Sequence, residues 1–272
     1  MVESLSELNR LCQKPRYKEV GNWMVRHLVR DAALPVTWLL LHTQITANQV
    51  TLISLLAGIV GVSLLAFPSS GFFLAGAVLM QTWYLLDHVD GQIARYRKTA
   101  SLTGRFFDFM THHLMHGVVF FGLGVFCFQN GNRNLFPLVW GFVASLSVMM
   151  FNLSYDAKYK TFFEQISRMK QVEVFSSVEG CPLRASQPEK NFWKKGFSIV
   201  HKACEIHVLM NILTVSAFLQ TVLGWSLDLR IALFAFYGIA VPFVAITKIA
   251  FWIVCREIDA EFESNFREIS DK

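Results

Sequence analysis

Between Asp87 and His113 the chain reads DHVDGQIARYRKTASLTGRFFDFMTHH. The stretch joins two apolar runs and carries acids where a membrane helix normally avoids them. On a helix that turns about 100° per residue, Asp87, Asp90, Gly91 and Ala94 share an arc of about 100°. Beyond a break, Gly104, Asp108 and His112 follow at i, i+4 and i+8, within about 80° on a second helix. Two acids on one helix, and an acid with an imidazole on the next, can therefore converge on one pocket. Gly91, Ala94 and Gly104 lack bulk and leave room there for a ligand or a close helix approach. Carboxylates at membrane depth are costly unless paired or bound to a cation. Ion pairing with Arg95 and Arg105 is the plain reading, but it does not account for three converging acids. Mg2+ or Mn2+ does, because hard divalent ions take carboxylate oxygens and bridge them to phosphates. Two such ions would make the pocket attract a diphosphate, and one would leave it negative.

The elements that must position these residues follow from composition and pattern. The 272-residue chain is 53% hydrophobic and only 17% charged, which fits a polytopic membrane protein. The first thirty-odd residues do not read as a secretory signal. The five cysteines are scattered without a CxxC and read as free thiols. Residues 1–16 read as loose or weakly helical. In 17–33, Val20, Trp23, Met24 and Leu28 oppose Lys18, Glu19, Arg26 and Arg30, an amphipathic helix suited to lie in the membrane interface. Six apolar spans follow, at about 46–67, 72–97, 104–128, 135–155, 207–223 and 229–255, each near the ~20 residues that cross the hydrocarbon. Pro242 marks a kink in the last. Residues 168–205 are polar and extramembrane. The expectation is thus an all-α integral membrane protein with six transmembrane helices and an N-terminal interfacial helix. It divides into a cytoplasmic segment 1–34, a transmembrane catalytic domain 35–256 that includes the loop 168–205, and a cytoplasmic tail 257–272.

All Lys and Arg residues except Arg133, Arg230 and Lys248 fall on the side of the termini, which puts both termini and the acid-bearing stretch in the cytoplasm. The net charge of +5 suits anionic lipid head groups and an anionic substrate, and calls for no nucleic-acid partner.

The run Asp87-x2-Asp90-Gly91-x2-Ala94-Arg95-x8-Gly104-x3-Asp108 resembles the signature of the CDP-alcohol phosphotransferases, integral-membrane enzymes of phospholipid and polyol-phosphate synthesis. The family pattern ends in a further Asp, where this chain has His112. The resemblance implies a CDP-alcohol donor, a hydroxyl acceptor of unspecified identity, CMP release, membrane lipid as substrate or surroundings, and a homodimer. It implies that Asp87, Asp90 and Asp108 bind Mg2+ or Mn2+, that Gly91, Ala94 and Gly104 line the nucleotide pocket, and that Arg95 lies near the diphosphate. Asn48 and Thr51 resemble the family's Thr-Pro-Asn-x-x-Thr entry to the first span, with Ala47 in place of the proline. They read either as ligand contacts or as helix caps.

In the family the last signature acid deprotonates the acceptor. Three readings of His112 stay open. It is a general base, better tuned to neutral pH at ~6.5 than an Asp at ~3.9. It is a metal ligand or structural partner, which would favour manganese over magnesium. Or it marks a weakened or repurposed site. Two rival functions accompany the transferase reading. One is a non-catalytic nucleotide- or lipid-binding membrane protein. The other is a small transporter, disfavoured because the acids cluster at one edge and no inverted repeat is visible.

Overall fold

The structure, a computed structural model, describes residues 2–14, 18–19, 23–174, 202, 204–226 and 228–268. It is helical throughout apart from one short ribbon. Helix α1 (Leu5–Cys12) is followed by a π-helical turn (Val25–Val29) that runs directly into α2 (Arg30–Leu41). Then come α3 (Ala47–Leu65), α4 (Ser70–Tyr96), α5 (Leu102–Asn130), α6 (Phe136–Ile166), α7 (Ile206–Val222), α8 (Leu229–Val254) and α9 (Glu257–Asn265). Strands β1 (Val172–Val174) and β2 (Phe266–Glu268) pair antiparallel, with Val172 opposite Glu268.

Four helices among the described residues, α3, α5, α6 and α8, are long and apolar enough to cross a membrane. Helix α7 is apolar but has 17 residues. Helix α4 has the length, 27 residues, but carries Gln81, Thr82 and the acids of its last turns. The N-terminal part refines the sequence expectation. Residues 5–12, within the stretch read as loose or weakly helical, form α1. The amphipathic helix expected to stop near residue 33 continues through Pro35 to Leu41. Most of the polar segment 168–205 lies outside the described residues; its start contributes β1.

Local signals set the ends that face the acids. Thr46 and Gln49 form a reciprocal capping box: Thr46 Oγ1 accepts from the Gln49 amide at 3.3 Å, and Gln49 Oε1 accepts from the Thr46 amide at 2.8 Å. Between α4 and α5 the chain reverses through Lys98, whose φ of 55° is left-handed. Ser101 then caps α5 by accepting from the Gly104 amide at 3.0 Å. The Arg97 guanidinium donates to the carbonyls of Thr43, at 2.7 Å, and Ile45, which ties the entry of α3 to the exit of α4.

Small residues and polar ties hold the long helices in register. A methyl group on Gly76 would lie 2.7 Å from the Gly61 carbonyl and 2.9 Å from the Leu65 amide, so α3 and α4 touch through backbone. Gly124 and Gly141 make the equivalent approach between α5 and α6. Around these crossings Met80, Trp83, Met115, Phe120, Leu123 and Tyr237 form a buried apolar centre. Thr37 Oγ1 donates to Gln92 Oε1 at 2.6 Å and Gln92 Nε2 donates to the Arg30 carbonyl at 3.1 Å, which fixes α2 against α4. Gln81 does the same for α7, donating to Asn211 Oδ1 and Thr214 Oγ1. At the end of α3 away from the acids, fully buried Arg230 satisfies the carbonyls of Leu65 and Phe67 and pairs with Asp228 at 2.6 Å.

Candidate active site

The beginnings of α3 and α5 and the end of α4 surround a cavity of about 560 Å³. Asp87, Asp90, Gly91, Ala94, Arg95, Gly104, Asp108, His112, Asn48 and Thr51 all line it. Within the cavity the acids are not equivalent. Asp87, Asp108 and His112 each offer one ligand atom, and those atoms all lie within 4.8 Å of one another. His112 Nε2 stands 2.8 Å from Asp87 Oδ1 and 3.4 Å from Asp108 Oδ1, so one imidazole nitrogen faces two carboxylates. The two carboxylates suit Mg2+ or Mn2+; an unprotonated imidazole nitrogen would add a third ligand and shift preference toward manganese, and a protonated one donates to the acids instead.

Asp90 stands apart from that trio. It is 7% exposed, and its Oδ2 accepts from Thr51 Oγ1 at 2.5 Å. The Thr51 hydroxyl also lies 3.1 Å from the Ala47 carbonyl. The acid thus rests on the start of α3, and Thr51 acts on the cavity through Asp90. Asn48 lies beside Gly104: a methyl group there would sit 3.3 Å from Asn48 Oδ1. The Arg95 side chain folds back over Gly91, and its Nε donates to the Cys12 carbonyl. At least one edge of this guanidinium is therefore occupied by protein backbone.

His112 is set by the rings on either side. It meets Trp83 edge-on at 5.9 Å between centroids and His116 at 6.0 Å. His116 Nδ1 accepts from Asn152 Nδ2 at 2.9 Å, linking this column to α6.

The sequence did not single out several residues of the cavity wall, among them Gln13, Lys14, His88 and Gln92, and it read Arg30 only as part of an amphipathic face. His88 follows Asp87 directly, and its Nδ1 lies 2.9 Å from the Tyr84 carbonyl and 3.7 Å from Asp87 Oδ2. Its place next to the motif was the available signal. Lys14 and Arg30 had none, because they are brought in by α1 and α2 from far along the chain. Loss of hydration at the cavity wall, followed by the guanidiniums of Arg95 and Arg30, draws the Lys14 ammonium below the usual lysine range, and Asp108 opposes this.

The profile of the CDP-alcohol phosphatidyltransferase family matches residues 44–175, which hold α3, α4, α5 and α6. The chain is 27% identical over 150 residues to the bifunctional IPC transferase and DIPP synthase of Thermococcus kodakarensis; the match covers 54% of this chain and 32% of that protein. The chain thus matches about a third of the length of that relative. Two crystal structures of Mycobacterium tuberculosis phosphatidylinositol phosphate synthase are similar at 17% identity. The form with CDP-DAG bound has a TM-score of 0.49, with 88% of this chain and 94% of that one covered. The form in complex with manganese and citrate has a TM-score of 0.49, with 86% and 90% covered. Residues 44–175 are thus similar to the CDP-alcohol phosphatidyltransferases, and the apolar helices of this stretch suit an integral membrane protein.

Proposed function

We propose that the protein is a metal-dependent transferase that moves a substituted phosphate from a CDP-alcohol to a hydroxyl acceptor and releases CMP, in phospholipid or polyol-phosphate synthesis. The observation that carries this reading is the trio Asp87, Asp108 and His112 on the wall of a cavity rich in cations. Asp87, Asp90 and Asp108 would hold Mg2+ or Mn2+, with Thr51 supporting Asp90 from the α3 side. The bound ion supplies charge neutralisation for the diphosphate and for the departing CMP. Gly91, Ala94 and Gly104 keep the wall low where the nucleotide enters, and Asn48 borders it. Arg95 lies near the diphosphate and also braces the end of α1.

His112 serves as the base. Asp87 and Asp108 accept from Nε2–H, which leaves the other ring nitrogen free to take the hydroxyl proton of the acceptor. The acceptor oxygen then bonds to phosphorus as the bond from phosphorus to the CMP oxygen breaks. The two carboxylates stabilise the imidazolium.

The chain spans the membrane six times, α4 and α7 included, with the helix around α2 lying in the interface. Both termini and the cavity face the cytoplasm, in keeping with the distribution of Lys and Arg. The segment 1–34, the membrane domain 35–256 and the tail 257–272 are its parts, and it acts as a homodimer in contact with membrane lipid.

A panel of CDP-alcohols and alcohol acceptors with Mg2+ or Mn2+, scored for CMP, tests the reading on the purified full chain. Metal-dependent CMP release with at least one pair is expected; none with any pair, from folded protein, would count against it. A second reading, nucleotide binding without turnover, draws on the contact of His112 with both acids, which can satisfy them without an ion. It expects CDP-alcohol binding with no CMP formed.

A further inference from the structure

The catalytic cavity is walled in part by residues outside the matched domain. Helix α1 is latched at both ends. At its start, Tyr96 donates its hydroxyl to the Glu3 carboxylate, and Trp38 Nε1 donates to the Glu3 carbonyl at 3.2 Å. Along its length, Leu8 and Cys12 are fully buried in an apolar cluster with Ala33, Val50, Val89 and Ile93. At its end, Arg95 donates to the Cys12 carbonyl, one of the orphan acceptors of the last turn and the negative end of the helix dipole. The chain then leaves the helix at Gln13, in an extended conformation with ψ 152°, and the next residue is Lys14 on the cavity wall.

Lys14 is exposed and lines the cavity, and among the described residues no hydrogen bond or ion pair engages its ammonium. It shares the wall with Arg30, Arg95 and Arg105. The carboxylates of the cavity already have partners: Asp90 has Thr51, and Asp87 and Asp108 share His112. Four cations gathered at one wall repel one another, and an entering anion relieves that repulsion. A lysine ammonium on a flexible stem is a point-charge ligand for phosphate oxygen.

We propose that Lys14, brought to the cavity by α1, is a substrate-binding residue that takes a phosphate oxygen, so that the N-terminal segment completes a site that residues 44–175 leave unfinished. This deepens the transferase reading and rests on it for the name of the substrate. The phosphate belongs either to the diphosphate of the donor or to a phosphomonoester acceptor, and the two are separable.

The test uses the full chain in detergent with Mn2+, as wild type, Lys14→Gln, Lys14→Glu and Lys14→Arg. Calorimetric titration with CDP reads the donor diphosphate. Titration of CMP-saturated protein with inorganic phosphate reads a second phosphoryl group. We expect Lys14→Gln to weaken one of these about tenfold, Lys14→Glu to weaken it further, and Lys14→Arg to stay within about threefold, with unchanged melting temperatures. An effect on CDP assigns Lys14 to the donor, and an effect on phosphate assigns it to an anionic acceptor. Wild-type affinities in both Gln and Glu variants would overturn the role of Lys14 and leave the transferase reading standing. Absence of both ligands from the wild type would overturn the two together. Absence of turnover with intact, Lys14-dependent binding would sink only the transferase reading.

Discussion

At the scale of single side chains, the site turns on how His112 meets its acids. Its Nε2 lies 2.8 Å from Asp87 and 3.4 Å from Asp108, and the second contact comes from i, i+4 spacing on α5. A His between two carboxylates can take a proton and keep it paired, whereas an unprotonated Asp at the same place would stand among like charges. His112→Ala is therefore expected to lower turnover by about 10²–10⁴-fold, the usual range for a lost general base. His112→Asp should retain part of the activity. Its acidic limb should move to lower pH, because a carboxylate is intrinsically the weaker base of the two groups. A pH–rate profile of CMP release checks both. At this scale much was legible in the sequence. The motif spacing brought Asp87, Asp108 and His112 to one cavity because they lie on two helices whose 3.6-residue period is fixed. The separate station of Asp90 was not legible, because it depends on Thr51 reaching across from α3. Lys14 was invisible for the same reason: nothing local to residue 14 says which cavity it will face.

At the scale of elements, the cavity depends on α3 and α4 meeting through glycine. Gly76 faces the backbone of Gly61 and Leu65, which cannot turn aside as a flexible side chain would. Gly76→Val should force the helices apart and cost about 1–3 kcal/mol. It should also reduce CMP release by pulling Thr51 from Asp90, although the change lies some turns from either. A thermal melt in detergent read beside the activity assay checks the pairing of the two losses. Helix α6 runs on to Ile166, past the apolar span expected to end near 155, whereas helices α3, α4 and α5 were readable in the sequence to within a few residues, since their apolar runs leave few alternatives. The N-terminal elements were not. An eight-residue helix such as α1 has little stability of its own. It exists through Leu8, Cys12 and the latches to Tyr96 and Arg95, all tertiary contacts. Helix α2 likewise runs through Pro35, a residue that argues locally for a stop, while Thr37 and the Arg30 carbonyl are held by Gln92.

At the scale of the whole molecule, both ends of the chain return to secure the bundle. Helix α1 packs on the last turns of α4, while α9 and the β1–β2 ribbon gather at the far end of α6. There Lys158, 5% exposed, pairs with Glu261 at 3.0 Å beneath the rings of Tyr155, Tyr159 and Trp252. Removing one partner of a buried pair leaves the other charge without compensation. Glu261→Ala should destabilise the protein by about 3 kcal/mol, the low end for such a loss because the rings still face the ammonium. Hydrogen exchange should quicken first in α9 and the end of α6. Nothing local to Lys158 or Glu261 points to this clasp, because the two lie 103 residues apart and meet only in the fold.

The most direct test of the whole account is Mn2+ binding to the purified protein, followed by electron paramagnetic resonance, in the wild type and in Asp108→Asn. The account predicts a saturable Mn2+ signal in the wild type and a loss of affinity of at least about tenfold in the variant, with its melting temperature preserved. Identical titrations for the two proteins would contradict it.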